Sequence, residues 1–333
     1  MGLKAVITIG APASGKTTFG EDYIKKDNGN WVILERDIIR QKLCQKYKLF
    51  PYNTWIDNFQ ELYYNLDKTL MSKIEKEVSH EIDRNINAFK DNLMLSNTNL
   101  SKKRLNHLYA NLQGRGYEVE IKVLNPSLSK LLDQNGWRND AVNDNVVFDL
   151  YQRLQHLMGY VKALPNYEFI SDHETDTCSH YCVIVDLDGT VAHITKDING
   201  EPTRTYYDMT KVDEDQFDDV VFSMVNGLLK AFDGTQLVFL TGRNSDCFTK
   251  TVSWLDKNLS FWDLTHENGG YQLFTRLRHD YRKDCIVKEE LYNTFIKDKY
   301  EPIAVFDDRV QMVNLWNDLG LKTIAVADQR KVF

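Results

Sequence analysis

The stretch Lys4-Ala5-Val6-Ile7-Thr8-Ile9-Gly10-Ala11-Pro12-Ala13-Ser14-Gly15-Lys16-Thr17-Thr18 decides the fold of the N-terminal half. Its first six residues form a nearly continuous apolar run, as in a parallel strand buried on both faces. Gly10 to Thr17 then match G-x-x-x-x-G-K-[ST], and a helix is predicted from Lys16 to about Lys26, so the motif sits between a strand and a helix. Glycine lets such a loop curl until its N–H groups point at phosphate oxygens, and the helix N-terminus adds positive potential. Gly10, Ala13, Ser14, Gly15 and Thr18 are therefore the expected loop contacts to ATP. Lys16 reaches the outer phosphates, and the Thr17 hydroxyl ligates Mg²⁺.

Outward from this loop, strands are predicted at Trp31 to Leu34, Leu93 to Leu95 and Glu118 to Leu124. Helical periodicity runs from about Ile56 to Phe89, from Lys102 to Gln113 and from about Val142 to Met158. Strands alternating with helices give parallel α/β layers. Glu35-Arg36-Asp37-Ile38-Ile39-Arg40 follows the second strand, on the side of the sheet where ligands bind. There Asp37 is either a helix N-cap or an acceptor for a hydroxyl proton, and Arg40, one turn on, can hold an acceptor phosphate. The third strand ends in Ser96-Asn97-Thr98-Asn99-Leu100, with the neutral Asn97 where many phosphate-loop proteins carry an acid. Arg138, in a turn-rich interruption, is either a lid cation over the phosphates or a solvated arginine.

The polar stretch from Pro165 to His180 lacks periodicity and reads as a linker between residues 1–164 and 181–333. A second α/β pattern has strands at 181–185, 236–240, 303–306 and 323–326. The first of these ends in Val185-Asp186-Leu187-Asp188-Gly189-Thr190. Carboxylates at a buried strand end are costly unless they meet a cation, and Mg²⁺ takes oxygen ligands of this kind. Leu240-Thr241-Gly242-Arg243 closes the next strand with a hydroxyl suited to phosphate. Lys288 offers a cation, and Phe306-Asp307-Asp308-Arg309 brings paired acids. A polar span carrying Lys196, Arg204 and Tyr206-Tyr207-Asp208 suits a small cap, with Arg204 placed to grip a substrate phosphate. Arg276 to Asp284 is locally basic around Tyr281, either a nucleic-acid contact or a solvated loop.

The 333 residues suggest two domains, and 42% hydrophobic with 27% charged residues fits a folded protein without long disorder. No apolar run is long enough to span a membrane, and the N-terminus does not resemble a signal peptide. The five scattered cysteines describe no disulfide framework and suit a reducing cytoplasm. A net charge of −7 argues against coating nucleic acid, so any contact with it should be local, at a strand end.

Asp186-Leu187-Asp188-Gly189-Thr190, Thr241-Gly242-Arg243, Lys288 and Asp307-Asp308 resemble the four motifs of the haloacid dehalogenase (HAD) superfamily. The resemblance implies a HAD-like parallel sheet, Asp186 as nucleophile and Asp188 as general acid/base. Together with the phosphate loop, Arg36-Asp37, Arg40-Gln41, Asn97-Thr98-Asn99-Leu100 and Arg282-Lys283-Asp284, the chain resembles the phage polynucleotide 5′-kinase/3′-phosphatase family over nearly its whole length. That implies an α/β chain of two domains, a P-loop kinase and then a HAD phosphatase. It further implies that Asp37 is general base toward a 5′-OH and that Arg40 grips the adjacent phosphate. Arg138 would be the lid arginine, Arg204 the phosphatase arginine, and Arg243 part of that site. Asp284 would join Asp186, Asp188, Asp307 and Asp308 around Mg²⁺. The implied partners are RNA or DNA strand ends and an RNA ligase, in repair within the host cytoplasm, and related enzymes suggest an oligomer. The family usually has Asp where Asn97 stands. A small-metabolite kinase fused to a nucleotidase is the competing reading; it leaves Asp37, Arg40 and the basic loop without a reason.

Overall fold

In the computed structural model, which describes residues 2–27, 29–49, 59, 63, 66–138, 141–170, 181–264 and 270–327, the chain divides into two units, Met1–His173 and Glu174–Phe333. The first runs β1 (Lys4–Ile9), α1 (Lys16–Lys26), β2 (Trp31–Ile33), α2 (Arg36–Lys46), α3 (Lys68–Ala88), β3 (Asn92–Ser96), α4 (Lys102–Gly114), β4 (Glu118–Leu124), α5 (Leu128–Gly136), α6 (Asp144–Val161) and β5 (Tyr167–Ile170). The five strands form one parallel sheet in the order β2-β3-β1-β4-β5.

Helix α3 shows why this sheet is covered. Ile74, Val78, Ile82 and Ile86 recur every four residues, one stripe of a 3.6-residue period. They pack in one core with Ala5, Ile7 and Ile9 of β1, Leu93 and Leu95 of β3, and Leu105, Leu108 and Leu112 of α4. Asp67 caps α3 by accepting from the Thr69 and Leu70 N–H groups, and Ser101 caps α4 through the Arg104 N–H.

The second unit runs β6 (Tyr181–Val185), β7 (Ala192–His193), β8 (Gln216–Phe217), α7 (Asp219–Ala231), β9 (Gln236–Asn244), α8 (Phe248–Leu259), β10 (Tyr271–Arg276), α9 (Asp284–Phe295), β11 (Glu301–Asp307), α10 (Val310–Asp318) and β12 (Thr323–Ala325). Its main sheet is also parallel, ordered β10-β9-β6-β11-β12, and β7 pairs antiparallel with β8 beside it. Cys182, Ile184, Val238, Leu240, Val305 and Trp316 share one core. In each sheet the chain reverses its direction of strand addition beside the central strand. The crevice at the carboxyl end of β1 and that at the carboxyl end of β6 are therefore where ligands bind in such folds.

Part of the expected linker is sheet. Residues 167–170 pair with β4 through Ile121, Lys122, Val123 and Leu124, so the linker reading of 165–180 is corrected there. The four residues of β5, Tyr167-Glu168-Phe169-Ile170, carry no continuous apolar run that would mark a strand. The remaining linker, 171–180, lies outside the described residues, as does most of the expected helix between 56 and 65. Helix α5, whose last two residues open the turn-rich interruption, and strand β10 have no counterpart among the expected elements.

Ile7 is fully buried between sheet and helices. Ile7→Ala should cost about 2–5 kcal/mol by removing methyl groups and leaving a cavity; urea unfolding of the purified chain reads it directly.

Candidate active sites

The N-terminal loop has the geometry its sequence demands. A Cβ on Gly10 would lie 2.8 Å from the Leu124 carbonyl oxygen and against the Ser14 hydroxyl, so only glycine fits there. Lys16 Nζ donates to the Ala11 carbonyl and, at 3.1 Å, to Ser14 Oγ. Burial of the ammonium and the nearby Arg138 guanidinium push its pKa down to about 7, against the pull of Asp37 and Glu35. The structure thus brings Arg138 and Asp37 within electrostatic reach of Lys16. Beside the loop lies a cavity of about 330 Å³ with an apolar wall of Phe19, Leu124, Pro126 and Ile170 and polar groups from Asp22 and Gln134.

Glu35 is half-buried, and burial with Asp37 pushes it above the ordinary carboxylate range against the pull of the nearby Ser96 and Thr17 hydroxyls. It is a further oxygen beside the expected metal ligand. Asp37 lies in the first turn of α2 and accepts from Arg40. Arg40 also donates through Nε to Glu75 at 2.7 Å, while Arg36 donates to the other Glu75 oxygen at 2.6 Å and Tyr63 OH to the first at 2.9 Å. Burial opposes charge on Glu75, but the two arginines overcome it and hold its pKa near 2. Asn97 is buried and uses both ends of its amide on the β2–α2 connection. Its Oδ1 accepts from the Arg36 N–H at 2.6 Å, and its Nδ2 donates to the Leu34 carbonyl at 3.1 Å. A carboxylate could not make the second bond. Asn97 is thus a clamp on the segment that carries Asp37.

In the second unit, Asp186, Asp307 and Asp308 each offer an oxygen within 4.8 Å of the others, at the carboxyl ends of β6 and β11. Three oxygen donors so crowded and so buried suit a divalent cation. Burial raises the Asp186 pKa despite Lys288, and burial with Asp307 raises Asp308 to about 6. Fully buried Lys288 bridges Asp186 at 2.8 Å and Asp307 at 3.1 Å. Gly189 has φ 89°, and a Cβ there would lie 2.6 Å from Asp308 Cγ, so glycine is what lets β6 and β11 bring their acids together.

The other two expected metal ligands turn elsewhere. Asp188 accepts from Arg243 Nε and Nη2, both at 2.9 Å, and from Arg204 Nη2 at 3.0 Å. Burial alone would raise its pKa, but Arg243 and Arg204 outweigh burial and lower it. Asp284 accepts from Arg276 at 3.0 Å and Arg309 at 3.2 Å and stands 4.0 Å from Lys288. Arg204 does not grip a phosphate at the surface. Its side chain is 1% exposed and held by Asp188 and by Asp215 at 2.6 Å, so it orients Asp188 instead. Asp215 also receives Arg243 at 2.9 Å; no sequence signal marked it. Thr241 is buried, its hydroxyl accepting from the Arg243 N–H. The basic loop is internally matched: Arg276 with Asp284, Arg278 with Asp246, and Arg282 with Asp280 and Glu290. Tyr206 lies beside this site. Burial and Asp188 push its hydroxyl up to about 12, and Tyr207 stands edge-on to it.

Among the described residues no helix is long and apolar enough to cross a membrane. Residues 180–330 match the model of the polynucleotide kinase PNKP phosphatase domain, and residues 6–157 that of an AAA domain. A protein of Autographa californica nuclear polyhedrosis virus, described as a bifunctional polynucleotide kinase/RNA ligase, is 27% identical over 325 residues; the match takes in 96% of this chain and 42% of that protein. The chain therefore spans less than half the length of this curated relative. The solved Pnkp1/Rnl/Hen1 RNA repair complex includes a chain that is 23% identical, with a TM-score of 0.38 and coverage of 99% of this chain and 97% of that one. The Deinococcus radiodurans tunicamycin resistance protein aligns over 46% of this chain and 80% of its own, at 17% identity and a TM-score of 0.31. Such domains use nucleotides and divalent metals. The chain is thus similar to an AAA domain over residues 6–157 and, after it, to the polynucleotide kinase PNKP phosphatase domain over residues 180–330.

Proposed function

We propose that the protein heals nucleic-acid ends: it transfers the ATP γ-phosphate to a 5′-OH and removes a 3′-phosphate, or a 2′,3′-cyclic phosphate after opening it. The observation that carries this reading is the pairing, in one chain, of a phosphate loop facing Asp37 and Arg40 with a carboxylate dyad, Asp186 and Asp188. The two sets do complementary chemistry on the two ends of a strand, and both products are what a ligase consumes. RNA ends, with an RNA ligase as functional partner, are the substrate and partner the viral relative's description suggests.

In the kinase reaction the adenine rests in the cavity by Phe19 and Leu124. Lys16 and Arg138 stabilise charge on the phosphates. Asp37 takes the proton of the 5′-OH as its oxygen attacks the γ-phosphorus and ADP leaves. Arg40, held by Glu75, meets the acceptor's next phosphate. Thr17, with Glu35 beside it, would hold Mg²⁺ at this site.

In the phosphatase reaction an Asp186 oxygen attacks phosphorus and the bond to O3′ breaks, while Asp188, ionised between Arg204 and Arg243 in the resting site, takes up a solvent proton and passes it to the leaving oxygen. Asp188 then takes a proton from the water that hydrolyses the aspartyl-phosphate. Arg204 and Arg243 keep the Asp188 side chain aimed through both steps. Asp186, Asp307 and Asp308 would hold Mg²⁺, which supplies charge neutralisation for the phosphoryl oxygens.

The two activities should separate. Lys16→Ala should lower kinase activity by ~10²–10³ and spare phosphatase activity; Asp186→Asn should do the reverse, since an amide cannot form the acyl-phosphate. Both ends of a 5′-OH, 3′-phosphate oligonucleotide are followed with ATP and Mg²⁺. A folded Lys16→Ala that loses both activities would overturn the two-site reading. Asp37→Asn should slow phosphorylation by ~10²–10⁴ with ATP affinity retained; an unimpaired variant would make Asp37 a helix cap only. Glu75→Gln should raise the acceptor KM by ~10-fold while the KM for ATP stays put, because it loosens Arg40. Parallel changes in both KM values would argue against that role.

A further inference from the structure

Around Glu75 the kinase unit holds more guanidinium than carboxylate. We propose that the surplus is a second phosphate subsite, formed by Arg104 with Arg36 behind it. It takes the phosphodiester that follows the one held by Arg40; the subsite rests on the kinase reading above.

Arg36 and Arg40 lie one turn apart on α2 and share the two oxygens of Glu75. Arg36 also reaches Ser79 Oγ at 3.4 Å, and Arg104, from the first turn of α4, donates to the same oxygen at 2.8 Å. The Ser79 hydroxyl proton goes to the Glu75 carbonyl at 2.9 Å, so Ser79 serves both arginines as an acceptor. Two guanidinium groups therefore converge on one uncharged oxygen. Glu75 and Asp37 balance Arg36 and Arg40. Asp83, one turn beyond Ser79, is engaged by His107 at 3.1 Å and Asn111 at 3.2 Å. Among the described residues no carboxylate forms an ion pair with Arg104.

Arginine cannot shed its proton to relieve this crowding. Burial, then Arg36 and Arg40, already make the charged form of Arg104 costly, and Glu75 and Asp83 offset them only in part. An anion is what the cluster lacks, and a phosphodiester offers two oxygens to the guanidinium fork. The position suits the acceptor strand: α4 begins just past the carboxyl end of β3, on the sheet edge where Asp37 lies. Its first turn is Lys102, Lys103 and Arg104 with no acid. The loop from Arg276 to Asp284 makes the contrast, since each of its paired arginines already has a carboxylate.

The test compares two acceptors at saturating ATP: a 5′-OH nucleoside 3′-monophosphate, with one phosphate, and a 5′-OH dinucleotide 3′-phosphate, with two. Wild type should favour the dinucleotide by ~10-fold in kcat/KM, chiefly through KM, as one added charge-assisted contact predicts. Arg104→Gln should bring that ratio close to one, and Arg104→Lys should keep part of it. The slope of log KM on log salt for the dinucleotide should flatten by about 0.7, one single-strand phosphate's share, in Arg104→Gln. Thermal melting checks that each variant is folded. A ratio equal in Arg104→Gln and wild type, or equal use of both acceptors by wild type, would overturn the subsite and leave the kinase reading intact. Wild type that phosphorylates neither acceptor would overturn both.

Discussion

Lys288 is fully buried between Asp186 and Asp307, and the second unit is arranged around its ammonium. Burial would normally strip a lysine of its proton, yet the surrounding aspartates raise its pKa instead. Without that charge, carboxylates from β6 and β11 could not sit within 4.8 Å of one another in a dry crevice. Trp316 adds an N–H to Asp307 at 3.2 Å from the core side, so packing and electrostatics hold the same acid. The result is a site with its negative charges already gathered and only partly neutralised, which is the state a divalent cation and a phosphoryl group complete.

The first unit solves the opposite problem. Its ligands are anions, so cations must be presented without collapsing onto the nearest acid. Glu75 takes two arginines at once, leaving Arg40 fixed by both Glu75 and Asp37. Asn97 ties the backbone on both sides of Glu35, and so sets where Asp37 starts its helix. Just past β3 stands the amide of Asn97, while the acid that holds the arginines is Glu75 on α3.

The contrast between these two residues marks what was legible in the sequence. The phosphate loop and the three strand-end motifs were readable because each depends on contiguous residues: Gly10 to Thr17 on one turn, Asp186 to Thr190 on another. Both sheets followed from apolar runs such as 5–9 and 182–185. Strands β5 and β10 did not, because Tyr167-Glu168-Phe169-Ile170 and Tyr271-Gln272-Leu273-Phe274-Thr275-Arg276 mix polar with apolar residues and give no such run. Glu75 and Asp215 were equally hidden. Each is an ordinary acid in a polar stretch, and its role exists only once the fold brings arginines to it from 35 or 28 residues away in the chain. From the sequence Asn97 is only a neutral residue at an acid's usual place, because spacing reveals position but not which atoms the neighbours present.

Charge follows the same rule. A run of arginines and lysines such as 276–284 catches the eye, whereas Arg36, Arg40 and Arg104 are spread over nearly seventy residues. Electrostatic attraction depends on uncompensated charge within a Debye length, not on density along the chain. In the loop, Arg282 is matched by Asp280 and Glu290, so little field escapes. Around Ser79 three guanidinium groups face one shared carboxylate and Asp37, and the field is left for a ligand. A chain of net charge −7 can thus present a locally cationic groove to a polyanion, provided its acids are spent elsewhere on holding arginines in place.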